Sequence, residues 1–157
     1  MTIDDIIDDF ALIDDWEERY RYVIELGRAL PELPEAARTE ENRVRGCASQ
    51  VWLETNLASN DRGERILSFN ADSDAHIVRG LVAIILTLYS GRTPSAILDT
   101  DALAIFAKLG LIEHLTPQRS NGVRSMVERI RRDGFGGAGP AVVASGSADD
   151  DLLPPSR

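Results

Sequence analysis

One cysteine, two histidines and no apolar run long enough for a bilayer leave this chain short of the residues that most often carry chemistry. A single cysteine cannot form an internal disulfide, and a free thiol is at home in a reducing cytoplasm. Two histidines and one cysteine, widely separated, do not make a zinc site. The most apolar run, LVAIILTLYS at 81–90, is too short to cross a membrane. Basic residues are the minority, 17 Lys and Arg against 26 Asp and Glu, for a formal net charge of −9 at pH 7. Phosphate binding needs a strong basic footprint, so nucleic acid is not the expected partner. The start, MTIDDIIDDF, is acidic where a secretory leader would be basic, and a cytoplasmic location is expected. No phosphate-binding loop is present either. The GFGGAG stretch at 134–139 has neither a preceding strand nor a following helix, and no Gly-x-Ser-x-Gly elbow occurs.

What is present is a patterned chain of 157 residues, the size of one domain with a short appendage. Ile3, Ile6, Ile7 and Phe10 recur at helical spacing behind a Thr2–Asp5 capping box. Asp14 or Asp15 opens a second helix, with Trp16, Tyr20, Val23 and Ile24 on one face. Pro31 and Pro34 close it and begin a loop to about Arg45. QVWLETN then reads as a strand, ASNDRG at 58–63 as a turn, and ERILSFNA as the returning strand. A lone hairpin is marginal, so a third strand or covering helices are expected, and the segment before Gly46 could supply that strand. Asp72, Ser73 and Asp74 look like a capping cluster, with Asp74 as the N-cap of a long apolar helix over 74–89. Helical turns follow from Thr93–Pro94, over 101–109, and from Thr116–Pro117, the last with Val123, Met126, Val127 and Ile130 as its apolar face. Beyond Gly134 the periodicity stops. The expected organisation is one domain over 1–134 and a flexible, disordered tail over 135–157.

The lone cysteine sits in NRVRGCASQVW, residues 42–52, at the junction of that loop with the first strand. Cys47 is either a small packing residue or the working sulfur of the protein. The local context favours chemistry as much as packing. Arg45 and Arg43 are close enough in sequence for either to supply the positive charge that lowers a thiol pKa. Gly46 removes a side chain beside the sulfur and lets another backbone or thiol approach. A hydrolase reading would need His76 or His114 as base, and neither lies in a motif.

Five blocks in order carry a resemblance: WEERYRYVIELG at 16–27, NRVRGCASQVW at 42–52, ADSDAHIVRGLVAI at 71–84, YSGRTP at 89–94 and LTPQRSNGV at 115–123. Together they resemble the SufE/CsdE family of sulfur-acceptor proteins. The resemblance implies an α+β fold similar to iron–sulfur scaffolds of the IscU type, a small antiparallel sheet of about three strands packed against several helices. It implies Cys47 as the acceptor of sulfane sulfur from a pyridoxal-phosphate cysteine desulfurase of the SufS or CsdA kind, held as a persulfide and relayed to an iron–sulfur scaffold. No cofactor or metal is implied for the chain itself, since thiol exchange needs one sulfur only. Gly46 is then expected to act as a hinge for a loop that tucks Cys47 against apolar side chains. Arg45, Asp74 and Arg119 are candidates for holding that loop or meeting the partner. The rival expectation is a binding module that regulates a desulfurase by docking alone.

Overall fold

The computed structural model describes residues 1–135. Thr2 caps α1 (Ile3–Leu12) through the expected reciprocal bonds with Asp5, and Asp15 caps α2 (Trp16–Arg28). A short 3₁₀ turn at Glu35–Ala37 follows, then β1 (Val51–Ser59) and β2 (Arg65–Ser73), paired antiparallel from Val51 opposite Ser73 to Ser59 opposite Arg65. Their turn is built on Asn60, whose side-chain oxygen accepts the N–H groups of Arg62 and Glu64, both at 2.9 Å. The rest is helical: α3 (His76–Tyr89), α4 (Pro94–Asp99), α5 (Ala102–Lys108), α6 (Leu111–His114) and α7 (Pro117–Phe135). The fold is α+β as expected. Helix α7 takes in Phe135, the first residue of the expected tail; the remainder of that tail, 136–157, lies outside the described residues.

The strand count differs from expectation. Among the described residues the sheet has two strands, and the segment before Gly46 contributes only an isolated bridge of Arg43 with Trp52. Val44 N–H bonds Val51 O at 2.8 Å and Leu53 N–H bonds Asn42 O at 2.7 Å. The ladder goes no further. The carbonyls of Glu41 and Arg43 turn to the side chain of Arg129 on α7, and the chain reverses at Gly46, where φ is +87°.

Helix α3 is the central element, with Leu81, Val82, Ile84 and Ile85 at most 2% exposed. It crosses α2 at a glycine–glycine contact. A Cβ on Gly80 would stand 2.1 Å from the carbonyl oxygen of Val23, and one on Gly27 would stand 2.6 Å from Gly80 N. Backbone cannot yield as a flexible side chain can, so glycine at these positions sets the distance between the helices.

The capping cluster before α3 is also corrected. Asp72 and Ser73 belong to β2, the helix begins at His76, and its N-cap, Ala75, offers no side-chain bond. Asp74 caps nothing. Asp72 instead points inward, 1% exposed, where it accepts from Leu33 N–H at 3.0 Å and Ser73 N–H at 2.7 Å. Two guanidinium groups neutralise it, Arg38 at 2.8 Å and Arg79 at 3.2 Å. A buried carboxylate is stable only when paired and hydrogen-bonded in this way. The arrangement ties the loop after α2 to the sheet and to α3.

Candidate functional site

Cys47 lies at the tip of a loop whose neck is the Val44–Val51 hydrogen bond, and its side chain is half-buried against the core. Its Sγ approaches the carbonyl oxygen of Gly122 on α7 at 3.8 Å, the geometry of a weak thiol donor. Gly46 packs on the same helix, where a Cβ would meet Ser125 Oγ at 2.4 Å. Its positive φ is what favours glycine, since the Ser125 hydroxyl could rotate away.

A cavity of about 280 Å³ opens beside the sulfur. Val51, Val78, Leu81, Val82, Val123 and Met126 make much of its wall, while Ser49, Thr116, Gln118 and Arg119 supply polar atoms. The wall explains the electrostatics. Burial pushes the Cys47 thiol above its ordinary pKa, and the charge of Arg43 opposes this with the smaller effect. Flanking arginines were expected to favour the thiolate; desolvation outweighs them. The Arg45 guanidinium pairs with Glu40 at 2.8 Å.

The other expected residues separate by position. Arg119 lines the cavity with Cys47. Asp74 is exposed and accepts Gln50 N–H at 3.1 Å, holding the strand-side end of the Cys47 loop. Neither histidine lines the cavity. His114 stacks on Trp16 at 3.6 Å between ring centroids, and its carbonyl accepts from the Tyr20 hydroxyl, which is a packing role. Among the described residues no group of three His, Cys, Asp or Glu side chains is placed to hold a metal, and no helix is long and apolar enough to cross a membrane. Sequence reasoning did not single out Gly122, although it lies in the LTPQRSNGV block, or Arg129, since nothing local marks either as a neighbour of the Cys47 loop.

A pH prediction follows from the buried thiol. Because folding raises its pKa, a smaller fraction is thiolate at a given pH than in the unfolded chain, so iodoacetamide should modify native Cys47 more slowly. The pH midpoint of modification should lie higher in the folded state. The same shift contributes stability that is present below the unfolded thiol pKa and is lost as pH rises through the folded one. Equal midpoints for native and urea-unfolded chain would contradict this.

The described residues thus form a helical domain with a hairpin, presenting one half-buried thiol at a loop tip over an apolar cavity. The family described as SufE, Fe-S metabolism associated domain, matches residues 4–134, and the chain belongs to it. It is therefore an accessory sulfur-transfer protein of iron–sulfur metabolism. An uncharacterised SufE-like protein of Rhizobium meliloti (strain 1021) is 60% identical over 135 residues, covering 86% of this chain and 96% of that protein. One from Rhizobium etli is 64% identical over 132 residues, covering 84% and 88%. In fold, the chain is similar to the solution structure of a hypothetical protein from Thermus thermophilus, with a TM-score of 0.63 at 21% identity, covering 87% of this chain and 97% of that one.

Proposed function

We propose that the chain accepts sulfur from a pyridoxal-phosphate cysteine desulfurase of the SufS or CsdA kind, stimulates that enzyme, and carries the sulfur on Cys47. The observation that carries this reading is the position of the chain's one thiol, on a loop that turns at Gly46 beside an apolar cavity. The Cys47 thiolate attacks the outer sulfur of the desulfurase persulfide. A new S–S bond forms on Cys47 as the donor S–S bond breaks, and the donor cysteine leaves as thiolate. The exchange is redox-neutral and needs no metal. A second cysteine could resolve the persulfide into a disulfide, which the single-cysteine composition avoids. The apolar wall would shelter the persulfide from water and small thiols until the loop presents it, with Arg119 and Asp74 meeting the partner or setting the loop. The sulfur then passes to an iron–sulfur scaffold in the cytoplasm.

The test is turnover. With free cysteine and a reductant that discharges the acceptor, added chain should raise alanine formation by a responsive desulfurase in a saturable way. No change at any ratio would remove the reading. One observation favours the rival docking module: resting Cys47 is half-buried and holds its proton more tightly than a free thiol.

A further inference from the structure

Helix α7 touches the Cys47 loop along one stripe. Gly122 meets the sulfur, Ser125 meets Gly46, and Arg129 reaches the neck. These are positions i, i+3 and i+7 of one helical face. The Arg129 side chain is 11% exposed and its guanidinium is used on three sides. Nε lies 3.3 Å from Asp133 Oδ2, one terminal nitrogen donates to Glu41 O at 3.0 Å, and the other to Arg43 O at 3.4 Å. Asp133 is fixed in turn by the Thr55 hydroxyl on β1, which donates to it at 2.7 Å.

Past the neck, the strand-side end is held by Gln50 N–H on Asp74 at 3.1 Å, and the side that leads into Cys47 is held by little. Residues 45, 46 and 48 are exposed, Arg45 reaches only exposed Glu40, and the sulfur contact with Gly122 is long. The placement of the sulfur therefore depends on where the neck is anchored. We infer that Arg129 is a positioning residue for Cys47: its fork clamps the backbone of 41–43 to α7, setting the distance between the loop neck and the Gly122 carbonyl that receives the sulfur. The same clamp fixes the backbone of Arg43, whose charge acts on the thiol. The inference rests on Cys47 being the working sulfur, but its test needs no desulfurase.

Iodoacetamide modification of native chain at fixed pH measures how firmly Cys47 is seated. Arg129→Met keeps the apolar stem and removes all donors. Modification should accelerate on the order of fivefold, the change a lost buried hydrogen bond makes in a local opening equilibrium. Arg129→Lys keeps the charge for Asp133 but lacks the planar fork, and should fall between wild type and Arg129→Met. Ile84→Val, a core change that does not line the cavity, should destabilise the chain yet leave the rate unchanged. Wild-type rates in both Arg129 variants would overturn the inference, as would equal acceleration in Ile84→Val, which would assign exposure to global loosening. If Arg129→Met does not fold, Arg129→Lys decides: a wild-type rate there overturns the fork. A failed sulfur-carrier reading would leave these rates untouched, so the two failures are distinguishable.

Discussion

Cys47→Ser should eliminate stimulation of a responsive cysteine desulfurase and leave the fold in place. The serine hydroxyl is not a sulfur nucleophile at neutral pH and forms no persulfide, so every transfer event through this position ends. The fold is spared for a separate reason. Serine is slightly smaller than cysteine, the site is only half-buried, and the hydroxyl can donate to the Gly122 carbonyl that the thiol now approaches at 3.8 Å. Stability should change by less than about 1 kcal/mol, within the range of partly exposed substitutions. Titrating both forms against the desulfurase and following alanine release checks the prediction. A docking module would keep most of its stimulation in the serine variant, so the comparison separates the two readings in one assay.

The largest loss of stability is expected at Asp72, far from any proposed chemistry. Asp72→Ala leaves Arg38 and Arg79 facing one another with no counter-charge, their side chains 26% and 17% exposed. The Leu33 N–H loses its acceptor too. Removing one partner of a buried, hydrogen-bonded ion pair costs about 3–5 kcal/mol, because the remaining charge stays buried and uncompensated. Arg38 can partly escape, stacked over the Trp52 ring at 5.0 Å, which puts the expectation at the lower end of that range. Asp72→Asn keeps an acceptor for Leu33 and should lose less. Urea midpoints of the three proteins measure the differences; an Asp72→Ala midpoint equal to wild type would show that the ion network contributes no net stability.

The hairpin and α3 are legible in the sequence because their apolar periods, two and 3.6 residues, are local properties. Leu67, Phe69 and Ala71 alternate inward, and the α3 stripe faces the core. Cys47 is legible for a simpler reason: it is the only sulfur nucleophile the chain has. What escapes the sequence is non-local. Asp72, Ser73 and Asp74 read as a cap because Asp and Ser compete for backbone N–H groups wherever they cluster. The partner that pulls Asp72 inward, Arg38, is 34 residues away. The third strand fails similarly, since the carbonyl of Arg43 is taken by a side chain 86 residues on. The direction of the Cys47 pKa is hidden because neighbouring charges can be read along a chain, whereas the apolar wall opposing them comes from α3 and α7.

The intact mass of the chain after incubation with a cysteine desulfurase and free cysteine tests the central claim most directly. Wild type should gain the mass of one sulfur atom, lose it again with reductant, and show no gain as Cys47→Ser. No gain while the desulfurase is turning over, or the same gain in the serine variant, would contradict the account.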